Sequence, residues 1–434
     1  MVEPVASRRR ESPWPLLSMD ESLAIVARES PVLETLTCST WGSMIGHIIA
    51  EDVHAAEPHP AFPASIKDGY AVITSDGGGI RHVVGVTTAG HTGGSIELQP
   101  STCARVSTGS FVPLGADAVV QVEDTKLVEQ KDGEEISIEI TIPPTLGQDI
   151  RPIGSDIAQG ELVIPKGCLI GSSEIGILAS VGRTSVSVIR KPKIGVLSTG
   201  NEVVDDAPIN ELPFGKVRDS NRPELLALFA SLGYEALNCG IATDELADTK
   251  NKLMAALQSC DVIVSSGGVS MGEKDLLKYV LEKELNFTIH FGRVMMKPGK
   301  PTTFATGMYE GRKKLVFALP GNPVSAWVTA HIYVVPSIRR MSGHSMPDAT
   351  ILRVKLTSDV KKLDPRPEYM RAWLSSPPAG SDIPLAVMTG SNQMSSRLTS
   401  TRGANLLLKI PPKSANVTSL KTGDVVDAMV IGAL

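Results

Sequence analysis

Three carboxylates, Glu202, Asp219 and Asp275, and two lysines, Lys297 and Lys300, stand near small-residue turns in the middle of this chain. Carboxylates that converge beside a phosphate make a ligand set for a hard cation such as Mg²⁺. Two lysines spaced by Pro-Gly, in MMKPGKPTTF, can aim both ammonium groups at one oxyanion. Each group also has a plainer use. Asp219 in VRDSNRPE precedes a predicted helix and suits an N-cap, and Asp275 stands in a similar place. The lysines could equally be solvated surface charges. The turns themselves are Ser198-Thr199-Gly200-Asn201-Glu202, the segment from Ser265 to Asp275, and Leu319-Pro320-Gly321-Asn322-Pro323-Val324-Ser325. Each puts small residues where a ligand can approach the backbone. The latter two lead into helices, whose free N–H groups and dipole suit phosphate. One such turn alone is ordinary turn geometry. Three on one sheet edge point to a site. There is no G-x-G-x-x-G and no G-K-[ST] ending. Without H-E-x-x-H or G-x-S-x-G, the histidines receive no catalytic role and serine hydrolysis is not indicated.

The elements around these turns alternate. KIGVLSTG reads as a buried strand, SNRPELLALFASLGY as an amphipathic helix ending at Gly233, and EALNCGIA as a strand. DELADTKNKLMAALQSC, DVIVSSGG, DLLKYVLEKEL and KLVFALPG continue the alternation, and NPVSAWVTAHIYVVPSIRRM closes it as one long helix. This rhythm predicts a mostly parallel sheet with helices on both faces, whose ligands bind beyond the strands' carboxyl ends. Upstream, a capping box at Ser18 and Glu21 opens a helix over 18–31, and a short helix is expected at 42–48. From about 60 to 145, short β-branched runs cut by Gly and Pro read as a β-rich unit, and helical character returns at Ser172–Val181. After about 342 the texture is β again.

Composition sets the class. The 434 residues carry a net charge of −5, 42% hydrophobic and 4% aromatic residues, which fits a soluble multidomain protein of about three domains. The mild acidity and scarce aromatics argue against a nucleic-acid partner. Five scattered cysteines without C-x-x-C fit a reducing compartment. The Arg run near the N-terminus has no apolar segment behind it, and no stretch is apolar enough to cross a membrane, so the cytoplasm is expected.

Taken in order, these segments resemble the MoeA-like molybdenum insertases, and within them the gephyrin E domain. The resemblance rests on PAFPASIKDGYAV (60–72), STGSFVPLGADAVVQVED (107–124), DIRPIGSDI (149–157), LSTGNEV (197–203), VRDSNR (217–222) and SSGGVSMGEKD (265–275). FGRVMMKPGKPTTFA (291–305), ALPGNPVSA (318–326), DPRPEYMRA (364–372) and SNQMSSRLTSTRGANLL (391–407) complete it, so it spans 18–434.

The resemblance implies a multidomain α/β protein. A tail over 1–17 precedes an elongated discontinuous part at 18–45 and 146–190. A β-rich part at 46–145, a central α/β molybdopterin-binding part at 191–340 and a C-terminal β-barrel at 341–434 follow. It implies a homodimer that takes molybdate and adenylylated molybdopterin and, with Mg²⁺, releases AMP. Asp219 and Asp275 match the metal and water-organising positions, with Glu202 in support. Lys297, Lys300, Arg371 and Ser400 match the molybdate donors, with Pro301 shaping the pocket. Gly268 and Ser270 match the phosphate-facing loop, and Ser325 another site position. Asp68, Thr108 and Asp156 match positions that act across the dimer. STRGAN stands where gephyrin-like sequences tend towards SMRSAN, which alters Thr401 and Gly403 beside Ser400. With no adenylylating G domain ahead of these motifs, a separate molybdopterin adenylyltransferase is the expected partner. The alternative is a gephyrin-like scaffold for receptor loops, weakened by Leu23 at the position where gephyrin has an aromatic.

Overall fold

The computed structural model describes residues 14–90, 96–205, 212–268, 276–377, 380 and 382–434. The chain forms two compact units, a larger one containing residues 14–36, 46–48 and 188–434 and a smaller one containing 37–45 and 49–187.

The larger unit begins with α1 (Met19–Glu29). Its capping box forms as expected: the Ser18 hydroxyl accepts from the Glu21 N–H at 3.2 Å, and the Glu21 carboxylate accepts from the Ser18 N–H at 2.9 Å. The short helix expected at 42–48 is a single turn, Trp41–Met44. Ile45, with φ −56 and ψ 132, ends it, and Gly46 follows at φ +74. Ile48 and Ile49 then enter extended pairing, with Ile48 accepting from the Ile189 N–H and Ile49 donating to Cys168.

The smaller unit is built on a mixed sheet of β1 (Gly69–Val72), β2 (Gly79–Thr87), β3 (Thr102–Val106), β4 (Ala118–Gln121), β5 (Thr125–Lys131) and β6 (Glu134–Ile140). The strand order is β4-β1-β3-β2-β6-β5. A helix, α2 (Ser172–Ser180), follows where the sequence predicts one.

The α/β layer of the larger unit contains β7 (Ile194–Thr199), α3 (Asn221–Ser231), β8 (Ala236–Ala242), α4 (Leu246–Ser259), β9 (Val262–Ser266), β10 (Thr288–Phe291), β11 (Thr303–Tyr309) and β12 (Arg312–Leu319). The order is β8-β7-β9-β12-β11-β10. The first four strands are parallel. β11 and β10 extend the sheet antiparallel. Every residue of β7 and β9 is buried, as parallel strands covered on both faces must be. The closing helix runs through α5 (Pro323–Thr329), a wide π turn (Ala330–Val334) and α6 (Val335–Met341). Pro336 explains the widening: it has no N–H to donate and its ring crowds the carbonyl one turn back. The hydroxyls of Ser22 and Ser30 on the α1 side bond Tyr333 and Ser337 at 2.8 and 2.7 Å, which docks α1 on this helix.

A closed barrel follows, made of β13 (Ile351–Leu356), β14 (Glu368–Ser375), β15 (Leu385–Met388), β16 (Leu406–Ile410) and β17 (Val425–Val430) in the order β13-β15-β14-β16-β17. Val354, Ala372, Leu408 and Ala428 fill its interior. Tyr369 and Leu407 instead join the α/β core, so one barrel face is packed against that layer. No helix among the described residues is long and apolar enough to cross a membrane.

Candidate functional site

The carboxyl ends of β7, β9 and β12 surround a cavity of about 280 Å³, lined by Thr199, Glu202, Asp219, Ser266, Gly267 and Gly321 among others. The two glycines after β9 are required by shape. Gly267 and Gly268 have φ +85 and +66, and a Cβ on either would lie 2.7 Å from an oxygen of Thr199. Asn221, the first residue of α3, staples two of the turns: its amide donates to Ser266 Oγ at 2.6 Å and to the Gly321 carbonyl at 2.8 Å.

Asp219 is buried at the mouth of α3 and behaves as a cap. Its Oδ1 accepts from the Arg222 N–H at 3.1 Å and its Oδ2 from Arg222 Nε at 2.9 Å. Glu202 is exposed and folds back over Gly200, where a Cβ would meet its Oε2 at 2.4 Å. Its carboxylate has no partner among the described residues. Gly268 is in place, whereas Ser270 and Asp275 lie outside the described residues. One helical turn along α3, burial pushes the Glu224 carboxyl up to about 7, and its Oε2 has no hydrogen-bond partner among the described residues.

A larger cleft of about 1140 Å³ opens alongside. Lys297, Lys300, Pro301 and Ser325 all line it. The barrel adds Lys361, Lys362, Arg366 and Glu368 to its walls. The two cavities share one wall: Pro320 and Asn322 face the larger, Gly321 and Pro323 the smaller. Lys297 Nζ pairs with Glu368 at 3.1 Å and with Asp364 at 3.5 Å. Lys300 has no side-chain partner among the described residues.

Arg371 is completely buried on β14, on the same strand face as Tyr369 and therefore towards the α/β layer. Its Nη2 and Nε donate to Ser400 Oγ at 2.9 and 3.3 Å, while its Nη1 has no partner among the described residues. Burial draws the guanidinium down to about 10. The structure thus joins Arg371 to Ser400 and, separately, gathers Lys297, Lys300, Pro301 and Ser325 on one cleft. Asp68, Thr108 and Asp156 belong to the smaller unit and are exposed there. Asp68 Oδ1 accepts from the Thr108 N–H at 2.8 Å, and Asp156 pairs with Arg151 at 3.2 Å.

Comparison with known proteins agrees with this layout. Residues 17–182 match the MoeA N-terminal region (domain I and II), 195–340 a probable molybdopterin binding domain, and 353–431 the MoeA C-terminal region (domain IV). The chain is 38% identical over 97% of its length to the Molybdenum cofactor synthesis protein cinnamon of Drosophila melanogaster, covering 67% of that protein. It is 34% identical to the Molybdopterin molybdenumtransferase of Haemophilus influenzae, covering 76% of this chain and 78% of the relative. This chain belongs to the MoeA/gephyrin family. Gephyrin of Dictyostelium discoideum is 37% identical over 99% of the chain, which spans 64% of that protein's length. The MoeA protein of Pyrococcus horikoshii shares the fold at a TM-score of 0.77 and 29% identity, covering 97% of this chain and all of that one.

Within this family frame, three site features escape the sequence reading. Glu368 and Asp364 lie in the DPRPEYMRA motif that carries the resemblance, yet nothing local marks them as partners of Lys297, 71 and 67 positions back. In the sequence Asn221 is only the residue before an Arg-Pro at a helix start. Its role as a staple between two turns depends on Ser266 and Gly321, which are brought to it by the sheet.

Proposed function

We propose that this protein is a molybdenum insertase that takes adenylylated molybdopterin and molybdate, transfers molybdenum to the dithiolene and releases AMP. The observation that carries this reading is the shared wall at Pro320–Pro323: a small polar cavity at the sheet edge stands against a wide cationic cleft. A substrate with an anhydride at one end and a metal-accepting group at the other suits two adjoining sites of different character.

In this reading the side-chain-free Gly267-Gly268 turn lets the anhydride phosphates approach the backbone closely, and the positive end of α3 lies towards them. Cleavage of an anhydride calls for positioning and charge neutralisation rather than a covalent nucleophile. Glu202, Asp219 and Asp275 organise the attacking water. Lys297 and Lys300 supply donors for the molybdate dianion from the cleft. The buried Arg371, held by Ser400, offers its Nη1, unpartnered among the described residues, as a further one. Pro301 and Ser325 shape the pocket, and Ser270 serves as a phosphate ligand. Mg²⁺ fits the smaller cavity, because it keeps much of its water and takes one or two carboxylates with substrate phosphates. Glu202 and Asp219 line that cavity, and Glu202 is free of partners among the described residues. When bound, the ion would offset charge on the leaving phosphate. Asp68, Thr108 and Asp156 act from the second subunit of a homodimer, the division of the chain into four parts follows the family, and a separate adenylyltransferase supplies the substrate.

The test is direct. Purified protein is mixed with adenylylated molybdopterin, molybdate and Mg²⁺, and AMP is followed by chromatography. Release that is lost on chelation and lost in Asp275→Ser is the expected result. No AMP, or release by Asp275→Ser at the wild-type rate, overturns the assignment.

A further inference from the structure

We propose that Glu368 positions the Lys297 ammonium and, through its charge, sets how tightly the larger cleft holds a tetrahedral oxyanion. This rests on the reading of that cleft as an oxyanion site, and it concerns a residue that the reading leaves without a role.

The backbone fixes the pair. Lys297 and Glu368 are bridge partners in parallel register: the Lys297 N–H donates to the Pro367 carbonyl at 2.9 Å, and the Tyr369 N–H donates to the Lys297 carbonyl at 2.7 Å. Two side chains held in such register stand side by side. Glu368 is nearly buried, its side chain 6% exposed, while that of Lys297 keeps 40% of its surface. Both Glu368 oxygens reach Nζ, at 3.1 and 3.2 Å. Asp364 also reaches it, at 3.5 Å, but Asp364 is committed elsewhere. The Arg366 fork bonds both of its oxygens, at 2.8 and 3.0 Å, and holds that carboxyl well below the usual carboxylate range. The charge of Asp364 is thus answered by Arg366, whereas Glu368, which also acts at longer range on Arg366 and Arg371, bonds Lys297 directly.

An ammonium has three N–H donors. Lys297 lines the cleft with 40% of its side-chain surface exposed, so donor capacity that Glu368 does not take is open to a ligand there. Glu368 therefore does two opposed things. It orients Lys297, and it neutralises much of the charge that an incoming dianion would feel. Lys300, on the same cleft and without a partner among the described residues, carries the unopposed charge. The result is one strong and one tempered cation, a combination that captures an oxyanion without retaining it.

Glu368→Gln keeps the shape and an acceptor oxygen but removes the charge. Titration calorimetry of the full chain with molybdate is expected to show binding about tenfold tighter than wild type, in line with loss of one close opposing charge. Glu368→Asp keeps the charge but shortens the reach, and binds no more tightly than wild type. In a Lys297→Met background the Gln substitution moves affinity by less than about twofold. A second measurement does not involve molybdate. Under limiting acetic anhydride, mass spectrometry should find Lys297 acetylated more slowly than Lys300, and faster in Glu368→Gln with Lys300 unchanged. Thermal unfolding checks that each variant folds.

The proposal is overturned if wild type binds molybdate and Glu368→Gln binds it equally or more weakly. It is also overturned if the gain persists without Lys297, or if the acetylation of Lys297 ignores Glu368. Failure of the underlying reading looks different: neither wild type nor any variant binds molybdate, and both proposals fall together.

Discussion

Asp219 illustrates how one side chain answers two demands. Its carboxylate caps α3 and pairs with Arg222, and both side chains are almost fully buried, 2% and 3% exposed. Asp219→Ala removes the cap and the buried partner of Arg222, which keeps its pairing with Asp205 at 2.6 Å, so the variant should lose about 2 kcal/mol in urea unfolding. Any loss of AMP release by that variant must therefore be read beside its stability. Glu224 makes a second prediction. Its folded pKa, pushed up to about 7 by burial, lies above the ordinary carboxylate value. Between those two values the folded protein holds a proton that the unfolded chain has released, so this contribution is full at low pH and is lost as pH rises through about 7. Glu224→Gln cannot lose it. The melting temperature of that variant should gain on wild type from pH 5 to about pH 7 and level off above it, and parallel melting curves at all pH values would contradict this.

At the scale of elements, the site depends on how strands end. β7, β9 and β12 are parallel neighbours in exact sequence with the turns that follow them, so their carboxyl ends deliver three small-residue turns to one edge. The turn after β9 must pass within contact of Thr199. A side chain at Gly267 would add left-handed backbone strain to a 2.7 Å approach to the Thr199 carbonyl. Gly267→Ala should cost about 2 kcal/mol or more by chemical denaturation, and should weaken nucleotide binding through a shifted turn. Much of this layer is legible in the chain. The runs IGVLST, VIVSS and KLVFAL are apolar and β-branched, and the alternation with amphipathic helices forces parallel pairing. The short strand β10 is not, because THR-ILE-HIS-PHE type alternation over four residues is too brief to separate from loop. Nor is the π turn of the closing helix, which comes from a proline inside an otherwise regular apolar pattern.

At the scale of the whole molecule, the net charge of −5 conceals a local field. The larger cleft is lined by Lys297, Lys300, Lys361, Lys362 and Arg366 against the acidic Asp359 and Glu368. Lys361 and Lys362 are exposed at its rim, where charge steers encounter more than it holds a bound ligand. Lys361→Gln with Lys362→Gln should slow stopped-flow association of molybdate several-fold at low salt and leave the dissociation rate nearly unchanged. The difference from wild type should vanish near 1 M salt, where the screening length is about 3 Å. An equal effect at all salt concentrations would show that these lysines contact the ligand instead.

What the chain reveals without its fold is whatever neighbouring residues impose. The Ser18–Glu21 capping box, the buried strands and the glycine turns follow from interactions a few positions apart and suffice for the α/β class, whereas the barrel and the family come from the resemblance carried by the ordered motifs. Contacts between distant segments need the fold. Arg371 meets Ser400 across 29 positions because barrel strands and their loops wrap back, and Lys297 meets Glu368 across 71 because one bridge joins the α/β layer to β14. Whether a lysine is free or tempered depends on which carboxylate the fold brings beside it. Lys297 and Lys300 look alike in MMKPGKPTTF, and only the packing of the barrel against the sheet makes them different.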